Sequence, residues 1–118
     1  MPKDIKQVTI SVSGVPPVKT TQQRHKNKIY KKKLADKCLS IALKNKKKHA
    51  LTLYEKPVKL SIFYSRFGGT ADSCNIIGGI ADTLKGYFYR DDKQITEIYY
   101  RERSTKKKDE YEIILEAS

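Results

Sequence analysis

From residue 5 to residue 13 apolar and polar positions alternate, with Val8, Ile10 and Val12 on one side and Thr9, Ser11 and Ser13 on the other. That period of two predicts a half-buried strand. Gly14, Pro16 and Pro17 end it, because proline cannot donate to a ladder and turns the residue before it away from helix. Residues 18–29 are polar and basic without a period and predict an irregular loop. From 30 to about 45 the period becomes helical. Leu34, Cys38 and Ile41 form a stripe widened by Ala35, Leu39 and Ala42, leaving Lys31, Lys32, Lys33 and Lys37 for the solvated side. Residues 51–54 read as a short extension. Beyond Pro57, Val58, Leu60, Ile62 and Tyr64 alternate with Lys59, Ser61 and Phe63, a second strand.

A turn at 67–70 leads to a second helix over about 72–85, with Ile77, Ile80, Ala81 and Leu84 on one face and Gly86 where a capping glycine belongs. A third strand is predicted near 94–103, a hairpin connection at 104–109, and a last strand through Tyr111, Ile113 and Leu115. The order β-α-β-α-β-β predicts an α+β fold, a mixed sheet of about four strands with two helices on one face. At 118 residues, with no repeat or linker, the chain is expected to be one domain.

Charge changes this picture more than composition does. There are 25 Lys and Arg against 13 Asp and Glu, a formal net charge of +12 spread over three segments. Such an excess raises the local concentration of phosphate, so nucleic acid is the expected partner. An anionic membrane surface or an acidic protein are the other candidates. No apolar run reaches spanning length, which argues against a membrane. Cys38 and Cys74 stand alone, and His25 and His49 lack metal-ligand spacing, so neither a disulfide framework nor zinc is expected. Lone thiols and no apolar N-terminal stretch predict a cytoplasmic protein. Cys38 reads as a small core residue.

Carboxylates in so basic a chain call for a reason. Asp72 stands at a turn-to-helix boundary, where Asp accepts hydrogen bonds from the free amides of the first turn. Asp91 and Asp92 are adjacent before a strand, where turn chemistry accounts for them. A metal site is the other reading of all three.

The stretch Asp72-Ser73-Cys74-Asn75, then Asp82-Thr83-Leu84, then Asp91-Asp92-Lys93-Gln94-Ile95 resembles the signature of the RusA-type crossover-junction endonucleases. That signature is D-x-D-N, a helix carrying a lysine and then D-x-L, and D-D-x-Q-[IV] opening a strand. The N-terminal half, with its strand, Pro-Pro turn, basic loop and helix, is similar too. The resemblance implies a homodimeric Mg2+-dependent enzyme that cuts four-way (Holliday) DNA junctions in recombination and repair, with Asp72, Asp91 and Asp92 as catalytic and metal-binding residues. A two-fold junction matches a two-fold dimer. Lys19, Arg24, Lys26, Lys28, Lys31 and Lys32, with the cluster Lys46, Lys47 and Lys48, would hold phosphates without reading sequence.

Two positions depart from the signature. Cys74 stands where the family has its second acid, and a thiol is a soft ligand that Mg2+ does not favour. Gly78, followed by Gly79, stands where the family has its helix lysine, expected to stabilise charge developing on phosphate. Two mid-helix glycines cost about 1 kcal/mol each relative to alanine, which points to something approaching closely there. Cys74 reads as a core residue on the inner side of the helix, and Glu97 as a substitute acid. The alternative to a nuclease is a protein of the same fold that has lost catalysis and occupies DNA or an acidic partner. Exposed aromatics at 87–89 and 99–100 would instead suit stacking on RNA, although core and dimer interface account for them as well.

Overall fold

Val8, Ile10 and Val12 of the first strand, Gln7–Ser13 (β1), are buried and the residues between them exposed, as the alternation requires. The computed structural model describes residues 7–46 and 55–117. Within them follow the helix Arg24–Lys46 (α1), the strand Val58–Arg66 (β2), the helix Ser73–Leu84 (α2), a single 3-10 turn Asp92–Gln94, and the strands Ile95–Ser104 (β3) and Glu110–Ala117 (β4). The expected extension at 51–54 lies outside the described residues. None of the described helices is long and apolar enough to cross a membrane.

The strands form one mixed sheet in the order β1-β4-β2-β3. β4 runs antiparallel to both β1 and β2, and β3 runs parallel to β2. The expected hairpin at 104–109 is therefore not one. β3 and β4 are separated by β2, and their connection passes over the end of β2, where the Thr105 amide bonds the Arg66 carbonyl at 2.9 Å. Local alternation fixes which face a strand buries but not which strand it pairs with, and the connection was read as the shortest one.

Val58, Leu60, Ile62 and Tyr64 of β2 and Tyr111, Ile113 and Leu115 of β4 join β1 on the buried face. Against them pack Leu34 and Cys38 of α1, Ile76, Ile80 and Leu84 of α2, and Phe88 and Tyr89 from the turn after α2. Burying each large apolar side chain is worth roughly 1.5–3 kcal/mol, so this two-layer core accounts for most of the fold's cohesion. The opposite sheet face carries neither of the described helices. There Phe63 and Tyr99 meet with ring centroids 5.8 Å apart, both partly exposed.

α1 begins six residues before the apolar pattern does. Its first turns carry no core stripe, and Ile29 is 54 % exposed. They are pinned instead by Asn27, whose side chain accepts from the Val18 amide at 2.8 Å and donates to the Val18 carbonyl at 2.9 Å. The stripe on the rest of α1 is narrower than expected, since Leu39 is exposed along with Leu43.

The loop from β2 to α2 is held from two sides. The Asp109 carboxylate accepts from the amides of Phe67, Gly68 and Gly69 at 2.9–3.2 Å. Arg66 donates to the carbonyls of Gly69 and Ala71 and forms a bidentate pair with Glu102 of β3 at 2.7 and 2.8 Å. That pair holds the Glu102 carboxyl below its ordinary range. Together these contacts set the position of Asp72, the residue that opens α2.

Candidate nucleic-acid interface

Basic residues gather where the turn after β1 meets the starts of both helices. Lys19, Arg24, Lys28 and Lys31, with Thr20, Thr21 and Asn27, line a cleft of about 400 Å³. Arg24, Lys28 and Lys31 fall at i, i+4 and i+7 on one face of α1. The first turn of α1 contains no acid to offset the positive end of the helix dipole. Arg24 stands at that end, with Lys28 and Lys31 one and two turns on, and the mutual repulsion of these cations is relieved by an anion.

The other expected phosphate contacts are arranged differently. Lys26 is exposed but does not line the cleft. Lys32 pairs with Asp36 one turn on, at 3.2 Å, both side chains largely exposed. Lys46 is the last residue of α1, and Lys47 and Lys48 lie outside the described residues. Lys33, assigned to the solvated side, donates its ammonium to the Ser13 carbonyl at the end of β1.

Asn75 joins this cleft to α2. Its side-chain oxygen accepts from the Thr20 amide at 3.2 Å and the Thr20 hydroxyl at 3.0 Å, and its side-chain NH2 donates to the Thr20 carbonyl at 2.9 Å. Its backbone carbonyl accepts from the Lys19 amide at 3.1 Å. Asp72 in turn caps α2 by accepting from the Asn75 amide at 2.8 Å. The basic cleft and Asp72 are thus two hydrogen bonds apart. Asn75 carried no role in the sequence reading beyond its place in the motif, because its partner stands 55 residues away.

The remaining acids lie at the other end of α2. Asp92 approaches the ammonium of Lys85, the residue that closes α2, at 3.9 Å. At about 1.5 Å per residue, the 12 residues of α2 put some 18 Å between its ends. Asp91 and Gln94 form a capping box around the 3-10 turn: Asp91 accepts from the Lys93 amide at 3.0 Å and the Gln94 side chain accepts from the Asp91 amide at 2.8 Å. Gln94 also donates to the Lys56 carbonyl at 2.9 Å, fixing how the chain enters β3. Asp72 is therefore not brought together with Asp91 and Asp92 within one chain. Among the described residues no three of His, Cys, Asp and Glu form a group able to hold a metal ion.

Cys74 is exposed, not on the inner side of α2 as expected. It precedes Gly78 by four residues and shares its face, which turns away from the core residues Ile76 and Ile80. Cys38 is buried as expected, and burial pushes its thiol up to about 12, a backbone hydrogen bond offsetting only part of the effect. Glu97 pairs in register with Lys59, on the sheet face opposite α2 and away from Asp72. Of the aromatics that would suit base stacking, Phe88 and Tyr89 are fully buried, and Tyr99 is the most exposed.

The family model for endodeoxyribonuclease RusA matches residues 14–116, nearly the whole chain. No curated protein sequence gives a significant match.

Proposed function

Since the chain belongs to the endodeoxyribonuclease RusA family, we propose that it binds branched DNA, four-way junctions above all, as a cytoplasmic homodimer, and cuts it with the help of a divalent cation, Mg2+. The observation that carries this reading is the link through Asn75. A phosphate held by Lys19, Arg24, Lys28 and Lys31 would lie beside the helix start that Asp72 caps. The contacts come from flexible cations and backbone geometry rather than from groups aimed at base edges, which suits recognition of DNA shape.

The residues of a single protomer do not fit Mg2+. Hard cations take several oxygen ligands, and beside Asp72 the chain offers a thiol in place of a second carboxylate. One of the Asp72 oxygens already caps α2. A homodimer that sets the start of one α2 against the end of the other would unite Asp72 with Asp91 and Asp92 of the partner subunit, and a two-fold substrate suits that arrangement.

A second reading is favoured by the same residues. Asp72, Asp91 and Asp92 each have a capping or ion-pairing role that explains them without catalysis. With Cys74 and Gly78 at the two departing positions, the chain would then bind a junction, or an acidic protein, without cutting. A labelled synthetic four-way junction in Mg2+ and then Mn2+ separates the two. Symmetric nicks that vanish in Asp72→Asn/Asp92→Asn mean a working nuclease, and a shifted but uncut junction means occupancy alone. Asparagine caps a helix about as well as aspartate at position 72, and Asp92 gives up only a half-exposed ion pair with Lys85, so this control removes charge while keeping the fold.

A further inference from the structure

Both glycines inside α2 have something lying on them. A Cβ at Gly79 would stand 2.4 Å from the Pro17 carbonyl oxygen and 2.5 Å from the Val18 Cα, so the loop backbone presses directly on the helix there. Gly78 is covered differently. A Cβ there would meet the aliphatic stem of Lys19, 3.1 Å from its Cβ and 3.0 Å from its Cδ. Lys19 reaches the helix at Asn75, whose carbonyl takes its amide, and Asn75 and Gly78 are three residues apart on one face. The stem of Lys19 therefore runs along the face of α2 that carries Cys74, Asn75 and Gly78. Its residue is exposed, and among the described residues no carboxylate stands within ion-pair distance of its ammonium.

A glycine that costs helix stability is accounted for if it clears a path for that stem. We propose that Lys19 supplies the positive charge facing the scissile phosphate, delivered by the loop instead of by the helix, and that Gly78 is the clearance that lets it lie there. The proposal rests on the nuclease reading above. It separates Lys19 from the other cations of the cleft: Arg24, Lys28 and Lys31 stand on α1, whereas Lys19 alone rests on the helix that Asp72 opens. A cation whose interaction strengthens as charge develops on phosphate lowers the barrier, and one that only holds the ground state lowers the dissociation constant.

The test compares the wild type, Lys19→Met and the exchange Lys19→Ala/Gly78→Lys on one labelled four-way junction. Binding is measured in EDTA, and single-turnover cleavage at saturating protein in Mg2+. Methionine keeps a stem of similar length, and thermal melts check that each variant folds. The expected result is a Lys19→Met protein that loses some affinity, as one phosphate contact fewer requires, yet at saturating protein cleaves roughly 10²–10³ times more slowly, as for loss of one electrostatic donor. In the exchange variant most of that rate returns. Cleavage by Lys19→Met within threefold of wild type overturns the proposal and leaves the nuclease reading intact. So does an exchange variant that folds but cuts no faster than Lys19→Met. A wild type that binds the junction without cutting it overturns both.

Discussion

Tyr64 donates its hydroxyl to the Asp109 carboxylate across 2.6 Å, tying the end of β2 to the residue that leads into β4. The same carboxylate collects three backbone amides of the loop that sets Asp72 in place. Burial pushes the Asp109 carboxyl up, but the hydrogen bonds from Tyr64, Phe67, Gly68 and Gly69 outweigh it and hold the group below its ordinary range. Asp109→Asn is expected to destabilise the fold by about 2 kcal/mol, since hydrogen bonds to a charged acceptor are the stronger kind. The folded-state value lies below the unfolded one, so this contribution is present above the ordinary aspartate range and lost as pH falls through the folded value. Urea midpoints of wild type and Asp109→Asn should differ at neutral pH and converge in acid. A constant gap across that range would remove Asp109 as the acid-sensitive group.

The two thiols should behave as different residues. Cys74 is exposed and Cys38 sits in the core with its thiol pushed up by burial. A maleimide or Ellman titration near neutral pH should count one reactive thiol in the folded protein and two in denaturant. Two fast thiols in the folded state would mean that α1 does not pack as described.

Alanine at the two helix glycines should give different outcomes despite adjacent positions. At Gly79 the new Cβ overlaps backbone that cannot move without shifting the whole loop, and a loss of about 2 kcal/mol is expected. At Gly78 it meets a lysine stem that can give by a few tenths of an ångström, while helix propensity gains about 1 kcal/mol. Thermal melts should therefore show Gly78→Ala close to wild type and Gly79→Ala lower by several degrees.

Junction affinity should fall steeply with salt, because each phosphate neutralised releases counterion. Replacing Arg24 or Lys28 with alanine should weaken binding to all junction sequences alike and reduce the slope of log K against log salt by about 1 for each residue. Affinity insensitive to salt would point to a protein partner instead.

Alternation in β1, β2 and β4 and the helical stripe at Leu34 and Cys38 were legible in the sequence because each buries one face against a single core. What escaped was whatever depends on a side-chain hydrogen bond to a partner outside the element's own period. The first turns of α1 rest on Asn27 and Val18 rather than on apolar burial, so no period announced them. Asp109 looked like part of a polar connection, yet it organises a loop some 40 residues upstream. The acids of the motif form one group only by the family resemblance, and within one chain a helix of 12 residues keeps them at its two ends. The glycine pair reads as a place of close approach, but only the fold reveals that Lys19 lies on Gly78 and the Pro17–Val18 backbone on Gly79.

The place of β4 has a consequence for how the chain is made. Among the described strands β1 pairs only with β4, and β4 is also what joins it to β2. During synthesis the first strand therefore waits, its ladder groups unpaired, until residues 110–117 have emerged and can slide between two strands already formed. Completion of the sheet is a late, long-range event that favours slow folding, and a ribosome-bound chain stalled before Glu110 would expose β1 to whatever strand it meets first.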